Sequence, residues 1–485
     1  MKRTAALLLC LLLLSVTMLP AMPWRSAAAL PADESEAVGR LLDFSARLHE
    51  MRERCSGSVM KGSPDDPYNT ARLIVKSEGE VDASGAIAGT EGTNGRIVLQ
   101  YRTPGEAERA AERLRADPRV KYAVPDTEHR AEPFAACAAP MEGTGFNSWG
   151  YGEDQVGMAA LQERVLAKYG GDPASLPAVT VAVCDSGVNS GHEFLAGRMV
   201  AGYDFVNNDS DPSDGYGHGT FCAGVIADGA MPNVGIMPLK CISDSGYFST
   251  SDVVNAIEYA YLHGCAAANL SLIEYNPAVE PLYEEAVVSA TNAGMVCCVA
   301  SGNWSSNASI FVPGKIERSF TVAAHDPAHA MWPPSNVGDC VDITAPGVDI
   351  YSTTYTGGYA VDSGTSFAAP HAAACCAVIK TYDPSLGPDE IMDLLKANAV
   401  DEGYTGGGSG RLYVGSLFGG DTPGRVKGDV DGDGSITSVD ALMALRYALG
   451  AIALDDESAW AADYDSQSGV NSVDALLILR SALGL

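Results

Sequence analysis

The chain has 485 residues, of which 46% are hydrophobic and 19% charged. At roughly 150 residues per domain this is about three folding units, and the balance excludes disorder along the whole length. With 31 basic against 61 acidic residues the formal net charge is -30. Such a chain repels phosphate backbones and anionic lipid, so no nucleic-acid partner is expected.

Lys2 and Arg3 precede an apolar run over residues 5–19, and the small residues Ala27, Ala28 and Ala29 follow. A charged start, a short apolar stretch and a small-residue cleavage site predict a secretory signal peptide over 1–29. A membrane anchor needs about 20 apolar residues. This run is shorter and Pro20 interrupts it, so no direct membrane insertion is expected. Residues 33–69 read as an amphipathic helix, with Leu41, Leu42 and Leu48 among charges, and then a Gly/Ser/Pro/Asp-rich linker.

Residues 70–130 carry a small α/β pattern: strands at 73–75, 97–99 and 120–124, with a helix at 106–116. From 146 to 418 buried strands alternate with helices. The runs 179–184, 266–272, 296–300 and 320–324 are nearly continuous in apolar residues, as expected of parallel strands covered on both faces. The helices at 252–263 and 282–293 stop at Gly264 and Gly294, each placed as a left-handed cap before the next strand. This predicts a doubly wound α/β domain with a mostly parallel sheet. Twelve cysteines are present. Cys184, Cys297, Cys298, Cys375 and Cys376 lie in apolar segments and read as buried thiols.

Three motifs in this domain carry chemistry. Val181-Ala182-Val183-Cys184-Asp185-Ser186-Gly187 ends a buried strand in a carboxylate, and Gly217-His218-Gly219-Thr220 opens a helix with histidine. Gly364-Thr365-Ser366-Phe367-Ala368-Ala369-Pro370-His371 opens an apolar helix with serine. Singly, each has an ordinary structural reading as a cap, a structural histidine or a turn. Together they converge, because strand ends and helix starts of an open α/β sheet face one crevice. Serine is a weak nucleophile until a base takes its proton, and the base needs a carboxylate to hold its tautomer. Asn303, after the buried strand at 296–300, can supply an amide donor to a tetrahedral oxyanion, alongside the backbone N–H of Ser366.

VAVCDSG, GHGTFCAG, NLSL, ASGN and GTSFAAPH, in this order, closely resemble the subtilisin-like (subtilase) serine endopeptidases over 146–418. The resemblance implies Asp185 as the orienting carboxylate, His218 as general base and acid, Ser366 as nucleophile and Asn303 as oxyanion donor. It also implies Cys222 as a buried neighbour of the site, and Ser271, Leu272 and Ile273 as substrate-binding residues. Where the family usually has two glycines, Ile273 and Glu274 stand here, and Phe311 falls on a wall of the same pocket. A narrowed pocket is expected. Asp204, Asp209, Asp211 and Asp214 read as an acidic solvated loop in preference to a calcium site. The 70–130 unit resembles the propeptide inhibitor domain of subtilases, chiefly in its strand at 120–124 and the tail Pro125-Asp126-Thr127-Glu128-His129. That implies a partner within the chain, its own propeptide.

After a linker over 419–427, residues 428–485 hold a duplication: Ser438-Val439-Asp440-Ala441-Leu442 recurs as Ser472-Val473-Asp474-Ala475-Leu476. Such a repeat needs both copies to build one core. Asp429, Asp431, Asp433, Ser435, Thr437 and Asp440 stand at positions 1, 3, 5, 7, 9 and 12 of a calcium loop, with Gly434 at the turn. The second loop offers Asp463, Asp465, Gln467, Gly469, Asn471 and Asp474. Neutral Gln467 and a serine in place of the turn glycine predict a weaker site. The paired loops resemble type I dockerins, which implies calcium-dependent docking to a cohesin domain through Ser438, Val439, Ser472 and Val473, with Arg446 and Arg480 nearby.

The expectation is therefore a secreted zymogen of a serine endopeptidase acting on protein or peptide substrates and docked on a cohesin-bearing scaffold. It needs Ca2+ in the dockerin loops and no catalytic cofactor. The small propeptide domain should be α+β and the dockerin all-α. The alternatives are a catalytically inactive subtilase-fold binding module and a calcium-binding structural protein of the same scaffold.

Overall fold

The computed structural model describes residues 69–131, 155–418, 427–430, 436, 438–450, 452, 454, 456–464 and 469–482. The expected signal peptide, the helix at 33–54, and most of the linkers lie outside the described residues.

The first described unit runs β1 (Asn69–Ser77), β2 (Ala88–Glu91), β3 (Arg96–Gln100), α1 (Pro104–Arg115) and β4 (Val120–Arg130). Thr103 starts α1 by accepting from the Glu106 N–H, and Pro104 fits the first turn because no intrahelical donor is needed there. Successive strand residues point to opposite faces. Leu73 and Val75 therefore pack on Ala107, Ala110, Ala111 and Leu114 of α1, while Ile74 packs on the large domain together with Val98, Tyr122 and Val124. The sequence predicted three strands here. The fourth, β2, is exposed along its whole length and carries no alternating pattern to announce it.

The large domain runs α2 (Met158–Lys168), β5 (Val179–Asp185), β6 (Tyr203–Asp204), α3 (His218–Gly229), β7 (Val234–Lys240) and β8 (Tyr247–Ser249). It continues with α4 (Thr250–Leu262), β9 (Ala267–Leu270), α5 (Glu280–Asn292), β10 (Val296–Ala300), β11 (Ser319–His325) and β12 (Ile343–Pro346). The hairpin β13 (Ile350–Thr353) and β14 (Tyr359–Asp362) precedes α6 (Thr365–Tyr382) and α7 (Pro388–Ala397). Seven strands form one parallel sheet in the order β12-β11-β10-β9-β5-β7-β6. Val181 and Val183 face α3 and α6, whereas Ala182 and Cys184 face α4 and α5. Both faces are covered, which is why these strands read as unbroken apolar runs. Gly264 and Gly294 follow α4 and α5 with φ of 73° and 101°, the expected left-handed caps. Nine described cysteines are free thiols and eight of them are buried.

The two units are bound together. The first unit's sheet extends into the large domain, because β4 pairs antiparallel with β8 through Glu128–Ser249, His129–Phe248 and Arg130–Tyr247. A buried ion pair joins Arg96 of β3 to Glu258 of α4, and Lys76 of β1 reaches Glu285 of α5 at 2.5 Å. Asp126 of β4 accepts from the Ser251 N–H at 2.9 Å, at the start of α4.

In the C-terminal unit α8 (Ser438–Ala448), α9 (Asp456–Ala462) and α10 (Ser472–Ala482) enclose a small core of Val430, Ala441, Ala444, Ala462, Ala475 and Ile478. Ala441 and Ala475, like Ala444 and Ile478, are matching positions of the sequence duplication. Both copies contribute to one core.

Candidate active site

The sheet delivers Asp185 at the end of β5, fully buried, where its Oδ1 accepts from the Ser186 N–H at 2.7 Å. His218 opens α3, and its Nδ1 lies 2.9 Å from each carboxylate oxygen of Asp185. Burial alone would lower the His218 imidazole, but the Asp185 carboxylate more than offsets this and raises it well above the usual histidine range. Cys222 stands one turn on, 3.9 Å from His218 Nδ1, and burial pushes its thiol up. It stays a protonated, buried neighbour.

Ser366 is the second residue of α6. Its hydroxyl donates to the Ser271 carbonyl at 3.4 Å, and Ser271 Oγ donates back to the Ser366 carbonyl at 2.7 Å. The first four N–H groups of a helix have no intrahelical partner, so the Ser366 N–H is available at the site. Ser366, His218 and Asn303 line one cavity with Ser271, Leu272 and Ile273. All the expected catalytic and substrate-binding residues are thus brought together.

Asn303 sits on the loop after β10. Gly302 before it has φ 99°, and a Cβ there would come within 2.4 Å of Asn336 and Ile273. Only glycine fits the turn. Asn336 braces the same loop, accepting from the N–H groups of Trp304 and Ser306 at 3.0 and 2.9 Å and donating to the Ser301 carbonyl at 2.9 Å.

Two expectations change. Glu274 does not narrow the cavity beside Ser366: Ile273 lines it with Ser271 and Leu272, whereas Glu274, bridged to Val312, is turned to the other side. There the buried carboxylate accepts from Thr250, Tyr283 and Thr127 and pairs with His129 at 2.9 Å. Phe311 stacks behind Trp304, with ring centroids 5.3 Å apart, instead of lining the wall. The acidic segment ahead of His218 is also more organised than a solvated loop. Asp214 accepts from the N–H groups of Tyr216, Gly217 and Thr220 at 3.0, 2.7 and 2.9 Å, capping α3 and so fixing His218. Asp204 and Asp209 likewise accept from donors of their own loop. Among the described residues the one clustered group of His, Cys, Asp and Glu ligand atoms is Asp185, His218 and Cys222.

Sequence reasoning missed Lys240, whose buried ammonium donates to the Ser186 and Ser213 carbonyls at 2.9 Å each. It locks the turn after Asp185 against the loop before His218. A lone lysine at the end of an apolar strand was the available signal.

In the C-terminal unit Asp429, Asp440 and Asp474 are buried, although the core around them is mostly alanine. Asp440 Oδ1 accepts from the Val430 N–H at 2.7 Å and Asp474 Oδ2 from the Asn471 N–H at 2.8 Å. Asp463 Oδ1 is buried with no hydrogen-bond partner. An unpartnered buried carboxylate oxygen at loop position 1 fits a cation there. Asp431, Asp433, Ser435, Thr437, Asp465 and Gln467 lie outside the described residues. Val439, Leu442, Val473 and Leu476 are exposed, at equivalent places of the two repeats.

Residues 177–419 match the model of the Subtilase family. The chain belongs to that family. It is 34% identical over 291 residues to the alkaline serine exoprotease A of Vibrio alginolyticus, a match covering 59% of this chain and 52% of that protein. The chain therefore spans about half the length of that relative. It is 34% identical over 330 residues to the thermophilic serine proteinase of Bacillus sp. (strain AK1), covering 64% of this chain and 78% of that one. Thermitase of Thermoactinomyces vulgaris is 35% identical over 232 residues, 46% of this chain and 82% of that enzyme. The Dockerin type I domain model matches residues 427–481. Among the described residues no helix of this subtilase is long and apolar enough to cross a membrane.

Proposed function

We propose that the protein is a secreted serine endopeptidase, made as a zymogen and docked through its C-terminal unit onto a cohesin-bearing scaffold. The observation that carries the reading is the pairing of His218 Nδ1 with buried Asp185 at the rim of the cavity that holds Ser366 and Asn303.

The Ser366 hydroxyl attacks the carbonyl carbon of the peptide bond while His218 Nε2 takes its proton. Asp185 holds the imidazole tautomer and stabilises the imidazolium that forms. The new oxyanion receives the Asn303 amide and the Ser366 N–H. When the C–N bond breaks, His218 returns the proton to the leaving amine. Water then repeats the sequence on the acyl-enzyme.

The first described unit acts as the inhibitor in cis. Its support is the continuation of β4 along β8 until Arg130 and Ala131 line the cavity, with the Ala131 N–H donating to the Gly246 carbonyl at 2.7 Å. Adding a strand to an open edge is how extended peptides dock, and substrate takes the same edge. In the dockerin unit Asp429, Asp431, Asp433, Ser435, Thr437 and Asp440 hold one calcium ion. Asp463, Asp465, Gln467, Gly469, Asn471 and Asp474 hold a second. The ion supplies the positive charge that lets buried carboxylates share a small core. Val439 and Val473, exposed beside Ser438 and Ser472, form the cohesin-facing surface.

The test is hydrolysis of a generic labelled protein with and without a serine-directed covalent inhibitor. Inhibitor-sensitive cleavage is expected. Cleavage that Ser366→Ala leaves intact would overturn the assignment.

A further inference from the structure

We propose that Glu274 makes an acidic subsite in the substrate cleft, selecting a basic side chain, histidine above all, upstream of the bond that is cut. In the zymogen this place is held by His129. The proposal rests on the protease reading given above and names a specificity determinant within it.

The geometry starts from the strand period. In β4 the side chains of Thr127 and His129 share one face, and that face meets Glu274. His129 Nε2 lies 2.9 Å from Glu274 Oε1, and the Thr127 hydroxyl donates to the same oxygen at 3.1 Å. The His129 ring also packs beside Phe248 of β8, with centroids 5.5 Å apart. Glu128 and Arg130 point the other way, Arg130 lying over the Tyr247 ring. Register fixes the position: His129 stands two residues before Ala131, which lines the Ser366 cavity and donates its N–H to the Gly246 carbonyl. A substrate strand on β8 in that register places one side chain against Glu274.

With β4 in place the Glu274 side chain has no solvent exposure, against 21% for His129, and the tail's Thr127 and His129 cover one of its carboxylate oxygens. When the tail leaves, the carboxylate loses the His129 and Thr127 donors. It keeps Thr250 Oγ1, at 3.1 and 3.0 Å from its two oxygens, and the Tyr283 hydroxyl at 3.1 Å. These are neutral donors. A buried carboxylate held by hydroxyls alone gains most from a cationic N–H, gains little from a methyl group, and is opposed by a second carboxylate. The charges near the imidazole agree. Burial would lower His129, but Glu274, then Asp126 and Glu128, more than offset it and raise it above its ordinary value.

The experiment has two arms. In the first, the processed enzyme cleaves a fluorogenic peptide series in which each residue upstream of the cut bond is in turn His, Ala or Glu. At one position His should raise kcat/KM about tenfold over Ala, the yield of one charge-assisted hydrogen bond, and Glu should lower it. Glu274→Gln should reduce the His-to-Ala ratio to about twofold or less. The second arm uses the full Ser366→Ala chain and needs no turnover. Hydrogen exchange of residues 120–131 should stay slow with His129 and become at least tenfold faster with His129→Glu. His129 belongs to neither of the hydrophobic cores that flank it, so this variant leaves them intact if Glu274→Gln fails to fold. Peptides cleaved without any His preference, together with unchanged exchange in His129→Glu, would overturn the subsite while leaving the protease reading intact. If no peptide is cleaved, the protease reading falls, and the exchange arm alone decides whether Glu274 reads charge.

Discussion

Asn303 and Thr365 are tied twice: Asn303 Oδ1 accepts from the Thr365 N–H at 2.9 Å and from the Thr365 hydroxyl at 2.8 Å. The hydroxyl itself accepts from the Gly302 N–H at 3.0 Å. With the oxygen end of the amide anchored at the start of α6, its NH2 end is aimed by geometry and not by chance. Asn303→Ala should lower kcat about 10²–10³-fold, as removal of one oxyanion donor does. Thr365→Val leaves the donor present but loosely aimed. It should lower kcat about ten- to a hundredfold with little change in KM. Steady-state kinetics separate the two.

The pH profile should report the Asp185–His218 pair. The base must be neutral to accept the Ser366 proton, and its pKa in the folded protein is raised well above the ordinary 6.5. Activity is therefore absent below that raised pKa and appears as pH rises through it, so the acid limb of kcat/KM should lie above pH 6.5. Asp185→Asn should move the limb to lower pH while reducing the rate. An acid limb unmoved by Asp185→Asn would assign it to another group.

Self-cleavage follows from the way β4 enters the cavity. The wild-type chain should be cut after residue 131 and before residue 147, and Ser366→Ala should stay whole. Mass spectrometry of both proteins reads the result directly. A fully active wild-type chain that remains uncut would remove the inhibitor role of the first unit.

Calcium should order the C-terminal unit. With no cation bound, the buried carboxylates Asp429, Asp440 and Asp474 crowd negative charge into a small core, and Asp463 Oδ1 lacks a donor. Binding to the folded form alone stabilises it by mass action. In the full chain, chelator should make residues 428–485 susceptible to an added protease, and calcium should protect them. Asp429→Ala should cost more calcium affinity than Asp463→Ala, because loop one has three aspartates at positions 1, 3 and 5 and a glycine at its turn. Calorimetry on both variants gives the order.

The parallel sheet and the convergence of Asp185, His218, Ser366 and Asn303 were legible because each rests on a local rule. Buried strands read as apolar runs, Gly264 and Gly294 mark helix ends, and strand ends share a crevice with helix starts. What was hidden depends on long-range partners. Glu274 was expected to narrow the pocket at Ser366, yet its direction is set by Thr250, Tyr283 and His129, none of them its neighbours in sequence. Asp214 looked like one acid among several; its donors at Tyr216, Gly217 and Thr220 are near in sequence, but only the folded loop turns them onto one carboxylate at the start of α3. Lys240 has no motif at all. Its role exists only once Ser186 and Ser213 are side by side.

The three-residue strand β8 has a consequence for how this protein can change. One short edge, with Glu274 behind it, holds the chain's own tail and, on the reading proposed above, later every foreign peptide. On that reading a substitution that sharpens the choice of target would also alter how firmly the tail holds the cleft closed. Tighter selectivity for basic residues would bring slower release from inhibition unless residue 129 changed in step. The two properties should drift together, with positions 129 and 274 moving as a pair.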